Sequence, residues 1–182
     1  ELLQHDWADA LLRMHVLDAL DTWLVENAAH TDAIVSILCM LVLHHQACAK
    51  ALAQHPHLVQ AVVQLGCTRR AWPVADESFP SMEAVLILLR MVQSNRDVAS
   101  SLVDEGVIDP LLRYVLIPPR DVSSSPSSAD AASPSAATNI IRQEHAFLFV
   151  TLRILAALGH YGLASTSIRE LAVALSRLAD WT

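Results

Sequence analysis

Histidine and cysteine are the residue types in this sequence that could bind a metal ion. The chain contains nine histidines and three cysteines, and Cys39, His44, His45 and Cys48 lie close together. Structural zinc sites use short fixed spacings, such as C-x-x-C or H-x-x-x-H, to complete a tetrahedron of ligands. These residues do not have that spacing, and the pair that could share a helix face, His45 and Cys48, supplies only two ligands. We therefore expect polar histidines at helix ends, with no metal and no cofactor.

Residue types suited to catalysis are present without the sequence motifs that usually accompany them. There is no G-x-S-x-G turn for a nucleophilic serine and no glycine-rich phosphate loop, and the chain contains four glycines in all. The neighbouring carboxylates Asp104 and Glu105 precede Gly106 at a predicted helix turn. Such charges act more often as solvated capping groups than as an acid and a base. We expect a protein that is not an enzyme.

Two arginines are embedded in strongly apolar helical segments, Arg90 in ILLRMV and Arg153 in TLRIL. One interpretation is structural: the stem of each arginine covers the core, and its head pairs with a carboxylate or a carbonyl. The other interpretation is functional and places both arginines on the concave groove of a helical array, facing a partner. The sequence leaves both open, and Arg90 and Arg153 are therefore candidate partner-binding residues.

Charge and composition exclude several classes of function. The formal net charge is −7, and Lys50 is the only lysine, so the chain has no basic face for nucleic acid and a basic partner surface is favoured. Apolar residues make up 53% of the chain, yet no apolar run reaches the roughly 20 residues of a membrane span. An odd number of cysteines in apolar surroundings indicates free thiols and an intracellular protein.

Two stretches of the sequence share one apolar pattern. Ala33–Leu65 and Glu83–Val115 align without a gap when one is shifted by fifty residues. A repeat in the range of about 20–50 residues is typical of stacked helical units, and we predict an all-α, armadillo/HEAT-like right-handed superhelix. The matched positions are Val35 and Val85, Ile37 and Ile87, Leu38 and Leu88, Val42 and Val92, Ala49 and Ala99, Leu52 and Leu102, and Leu58 and Ile108.

Residues typical of helix starts and ends predict the boundaries of these units. Pro56 and Pro110 suit the first turn of a helix, Ser81 is a good N-cap, and Gly66 is suited to end a helix by adopting a positive φ. Before the first unit, residues 1–27 predict one helix or two short helices that meet near Met14.

The remaining segments complete a single domain over residues 1–182. Residues 67–80 predict a connecting loop, and residues 118–139, rich in serine, proline and alanine, predict a disordered inserted loop. A long helix over residues 140–161 and a last helix from Ser165 or Thr166 to about Leu178 follow. Because the chain begins at Glu1 without a methionine, we expect a piece of a longer protein.

The segment TLRILAALGHYGLASTSIREL, residues 151–171, resembles the C-terminal helical region of the RNA polymerase II-associated protein 1 family. The similar features are Leu152-Arg153, the aromatic-glycine pair Tyr161-Gly162, and Arg169-Glu170-Leu171 at the start of the next helix. The upstream segment LLRMVQSNRDVASSLV is also similar to the leucine-rich helix that precedes it in that family.

This resemblance implies a non-enzymatic scaffold in RNA polymerase II assembly and nuclear import, present in both cytoplasm and nucleus. Its expected partners are polymerase II subunits or assembly factors, and no catalytic residues come with the family. Tyr161 joins Arg90 and Arg153 as a candidate partner-binding residue. The alternative that the sequence leaves open is a generic armadillo-type adaptor whose groove binds an extended peptide or a partner helix.

Overall fold

The computed structural model describes residues 10–67, 81–116 and 134–162, and these residues are mostly α-helical and contain no strand. The predicted all-α class is thereby confirmed. Several predicted segments lie outside the described residues: the start of the first helix, the loop after Cys67, residues 118–133 and the last helix.

The helical structure at the start of the described chain is interrupted near Met14, where the sequence predicts that two short helices could meet. Residues 10–13 are helical, and a turn follows in which His15 adopts a left-handed backbone with φ 55°. Helix α1 is Val16–Glu26 and buries Leu17, Leu20 and Leu24. A short 3-10 turn, Ala28–His30, leads into the next helix. The alternative of two short helices, rather than one, is the one observed.

Helices α2 to α4 form the first unit of the aligned pair. Helix α2 is Thr31–His44, α3 is Gln46–Leu52, and α4 is Pro56–Cys67, with Pro56 in the first turn of α4 as predicted. Gly66 does not end α4 through a positive φ, so that prediction is wrong. It is buried inside the helix, where an added Cβ would lie 3.1 Å from Leu88 Cδ1. Gly66 therefore allows α4 to pack closely against Leu88 of α5.

Helices α5 to α7 form the second unit. Helix α5 is Met82–Ser94, α6 is Arg96–Asp104, and α7 is Ile108–Leu116. Ser81 caps α5 as predicted, because its Oγ accepts a hydrogen bond from the amide of Ala84 at 3.2 Å. Asn95 caps α6 in the same way through the amide of Asp97, and Gly106 (φ 79°) provides the turn before α7.

The long helix α8, Pro134–His160, starts earlier than the predicted helix. Residues 134–139 belong to the segment predicted to be disordered, yet they are helical. Proline is tolerated in the first turn of a helix. The residues that directly follow Pro134 are serine, alanine and threonine, and none of these types breaks a helix as proline does. Gly162, with φ 73°, follows the end of α8.

Helix α5 lies at the centre of the core. It packs against α2, α4 and α8, and also against α6 and α3. Its buried residues are Ala84, Val85, Ile87, Leu88, Leu89, Met91 and Val92. Contact on several sides explains why this helix is apolar over most of its circumference.

Five of the seven matched pairs of the two units are buried at both positions. Leu38 and Leu88 are both 0% exposed, Ala49 and Ala99 are both 0% exposed, and Val35 and Val85 are equally buried. The pairs Val42 and Val92, and Leu52 and Leu102, are also in the core. Two matched pairs differ: Ile37 and Ile108 are only partly buried, whereas their counterparts Ile87 and Leu58 are both 0% exposed.

Among the described residues, no single helix has both the length and the apolar character of a membrane span. One pair of helical segments has this length and apolar character when the two are taken together, Val16–Glu26 with Ala28–His44. The pair is bent by 119°.

Candidate protein-interaction site

Arg90 lies on the narrow exposed face of α5. Along this helix the exposed residues are Glu83, Arg90 and Gln93. Arg90 lines a surface pocket with a volume of about 270 Å³, here called the Arg90 pocket. The pocket lies where the end of α2 and the start of α3 meet α5. It is lined by Val42, Leu43, His44, Gln46, Ala49, Arg90 and Gln93.

The structural interpretation of Arg90 required a partner for its charged head. Within the described part of the chain, Arg90 forms no ion pair or hydrogen bond with a carboxylate. Arg90 lines the pocket, and a guanidinium can donate five hydrogen bonds.

Arg153 is also exposed, but its surroundings differ. Its guanidinium carbon lies 5.8 Å from the centroid of the Phe149 ring, one turn earlier on α8. This distance is within the range of about 6 Å for a cation–π contact. Phe149 is itself 61% exposed, so the pair presents an aromatic ring and a cation side by side on the outer face of α8.

Tyr161 is half-buried just after the end of α8 and packs against the core. The centroid of its ring lies 5.8 Å from that of His160, in an edge-on arrangement. The described contacts do not bring Tyr161, Arg153 and Arg90 into one site. Arg90 lies beside α2 and α3, whereas the ring and cation contacts of the other two residues are with neighbours close in sequence.

The side chains of His15, His55 and His57 contact aspartates of α1. The Nδ1 atom of His15 lies 2.8 Å from Asp18 Oδ2, and that of His55 lies 3.8 Å from Asp18 Oδ1. The Nδ1 atom of His57 lies 3.0 Å from Asp21 Oδ2. Within the described ranges, no three His, Cys, Asp or Glu side chains are grouped to hold a metal ion.

Asp21 provides a connection that the sequence analysis missed. Its Oδ1 accepts a hydrogen bond from the backbone amide of Leu58 at 3.1 Å, in the first turn of α4. A carboxylate at this position accepts a hydrogen bond from an amide that has no partner within the helix. Its negative charge also interacts favourably with the positive end of the helix dipole. The side chain belongs to another helix, 37 residues away, so no local capping pattern could have indicated it.

The environments of two thiols make them poor nucleophiles. Burial raises the pKa of Cys67 to about 11. Burial is also the main cause of a raised pKa for Cys39, and the carboxylate of Glu83 adds to it. A reactive thiol needs a lowered pKa, because the thiolate is the nucleophile. Both cysteines therefore serve as small packing residues in this structure.

Sequence reasoning also missed most of the Arg90 pocket. Gln93 lies three residues beyond Arg90, and Leu43 and Gln46 come from the other unit. One signal was available: the shift of fifty residues that aligns the core also pairs Met40 with Arg90 and Leu43 with Gln93. Extending the alignment to outward positions would have placed these residues on equivalent faces.

Comparisons of the chain with protein families, with curated proteins and with solved structures found no match.

Proposed function

We propose that this chain is part of an armadillo/HEAT-like right-handed superhelix that serves as a non-enzymatic scaffold for protein partners. The observation that supports it best is the matched burial of positions fifty residues apart, such as Leu38 and Leu88. Units that stack in this way bury equivalent positions in a continuous core, while their outer positions are free to bind other molecules.

The partners that we propose are RNA polymerase II subunits or the factors that assemble them, in the cytoplasm and the nucleus. Support comes from the resemblance over residues 151–171. Leu152 and Arg153 of that segment lie on α8, and Tyr161 and Gly162 follow its end. The exposed pair Phe149 and Arg153 offers the type of aromatic and arginine surface that is enriched at protein interfaces.

Affinity capture tests this proposal. The chain, tagged at one end, would be expressed in cultured eukaryotic cells and its bound proteins identified by mass spectrometry, with the tag alone as control. We expect polymerase II subunits or assembly factors to be enriched and to capture the chain in the reciprocal experiment. Their absence from both experiments would contradict the polymerase assignment.

A second function, an adaptor that binds an extended segment in its groove, is favoured by the Arg90 pocket. Its volume of about 270 Å³ is below the roughly 300–1,000 Å³ of small-molecule sites, so it suits one or two side chains of a peptide. The capture experiment separates the two functions, because a generic adaptor would not select polymerase components.

A further inference from the structure

The outer faces of α2 and α5 form two exposed stripes at equivalent positions. On α2 the exposed residues include Ala33, Ser36, Met40 and Leu43. Fifty residues later, α5 presents Glu83, Leu86, Arg90 and Gln93, of which Leu86 is partly buried. In both helices the spacing is i, i+3, i+7, i+10, which places each set along one face. Because α2 and α5 pack against each other, the stripes belong to neighbouring helices.

The α2 stripe is apolar where the α5 stripe is polar. Met40 is 57% exposed and Leu43 is 40% exposed, and they are one turn apart on the same helix. At the equivalent positions, α5 carries Arg90 and Gln93. Leu43 and Arg90 both line the Arg90 pocket, so an apolar contact surface and a cation meet there.

The charge at the pocket is opposite to that of the molecule as a whole. The chain has a formal net charge of −7, yet no described residue that lines the Arg90 pocket is an aspartate or a glutamate. Arg90 is a permanent cation there, and a guanidinium binds a carboxylate through two parallel hydrogen bonds. The amides of Gln46 and Gln93 can each donate and accept, as the backbone of an extended peptide requires.

We propose that this surface binds an extended acidic segment of a partner protein. One carboxylate of the segment pairs with Arg90, and a neighbouring large apolar side chain packs on Met40 and Leu43. The inference rests on the proposed scaffold function and identifies the chemistry of its ligand. A nucleic acid does not fit, because one arginine in an acidic chain cannot neutralise a run of phosphates.

The test compares two fluorescent peptides, one in which glutamate alternates with leucine and one in which glutamine replaces every glutamate. Binding to the full 182-residue chain is measured by fluorescence anisotropy. We expect the glutamate peptide to bind about fivefold more tightly than the glutamine peptide, the size of a good exposed ion pair. Arg90→Gln should remove this preference, while circular dichroism shows an unchanged fold.

Two sets of variants serve as controls. Arg113→Gln changes an exposed arginine of α7 that does not line the pocket, and it should keep the preference for glutamate. Met40→Ser and Leu43→Ser should weaken the binding of both peptides by a similar factor, because these changes remove apolar contact and not charge. Failure of the glutamate peptide to bind, or an unchanged preference in Arg90→Gln, would overturn the inference. If Arg113→Gln lost the preference for the glutamate peptide as fully as Arg90→Gln, the inference would be overturned as well.

This test and the capture experiment fail in different ways. If polymerase components are captured but Arg90→Gln leaves the peptide preference unchanged, the scaffold proposal stands and the acidic ligand is excluded. If the preference depends on Arg90 but no polymerase component is captured, the acidic ligand stands and the polymerase assignment is excluded.

Discussion

Helices α2 and α5 have nearly the same pattern of burial, but their outward residues differ in chemistry. At the inward positions the residues are alike, as with Leu38 and Leu88, which are both 0% exposed. At the outward positions Met40 corresponds to Arg90, and Leu43 corresponds to Gln93. Stacking constrains the inner face of each unit, because interiors are close-packed and sensitive to volume. The outer face is not constrained in this way, so its residues can differ between the two helices.

The helix ends differ between the units as well. The second unit caps its first two helices with its own residues, Ser81 and Asn95. The equivalent helices of the first unit, α2 and α3, begin without a side-chain cap hydrogen bond. Its third helix, α4, receives a cap from Asp21 of α1. The first unit therefore depends on the helix that precedes it.

The largest expected effect tests whether the two units share one core. Leu38→Ala and Leu88→Ala should each reduce the free energy of unfolding by about 2–5 kcal/mol, because each leaves a cavity at a fully buried site. Chemical denaturation would measure both.

Met40→Ala is the matched control for these two variants, since Met40 lies on the exposed face of α2. Its effect should stay within about 0.5 kcal/mol. A loss for Leu38→Ala as small as that for Met40→Ala would show that the aligned positions are not equivalent in packing.

The contact between the units is tested next, at Gly66. An added Cβ would lie 3.1 Å from Leu88 Cδ1 and 3.4 Å from Ala84 Cβ, so Gly66→Ala should destabilise the protein by about 1–3 kcal/mol through overpacking. Leu88→Ala makes room for this methyl group. The double variant should therefore be more stable than the sum of the single effects predicts. Strict additivity in a denaturation cycle would mean that the two residues do not touch.

Gly66 also shows what could be predicted from this sequence. Ser81, Pro56 and Pro110 were placed correctly because each acts on backbone groups a few residues away. Gly66 was predicted to end α4 for an equally local reason. Its actual role is set by Leu88, which is distant in sequence and comes close only after folding. Local propensity contains no information on such a contact.

For the candidate site, too, the sequence indicates the individual residues but not the neighbours that folding brings to them. Arg90 and Arg153 were singled out because a charge in an apolar helix is conspicuous in the sequence. The residues around Arg90 come from α2 and α3 as well as α5, and only the packing of these helices brings them together. Asp21 gave no signal, because its partner is the amide of Leu58 in another helix and an amide is present at every non-proline residue.

A smaller effect is expected from the cap that joins α1 to the first unit. Asp21→Ala should lower the free energy of unfolding by about 1 kcal/mol, since the amide of Leu58 loses its acceptor. Asp18→Ala is the control: Asp18 lies one turn away on the same helix and contacts histidines, as Asp21 does, but the described hydrogen bonds give its carboxylate no backbone amide, so the loss should be smaller. Equal losses in the two variants, measured by denaturation, would show that the hydrogen bond to Leu58 contributes nothing.

The last difference between the units is that Cys39, Cys48 and Cys67 all lie in the first. Burial raises the pKa of Cys67 from 9.0 to about 11, so the unfolded chain loses this proton at a lower pH than the folded protein does. The unfolded state thus binds fewer protons between these values, and stability must fall as pH rises through that window. Wild type should lose more stability than Cys67→Ser between pH 8 and pH 10.5, values chosen to lie below and within the window. Denaturation curves for the two proteins at both pH values measure this difference. Parallel losses would mean that the Cys67 thiol is as accessible to solvent in the folded protein as in the unfolded chain.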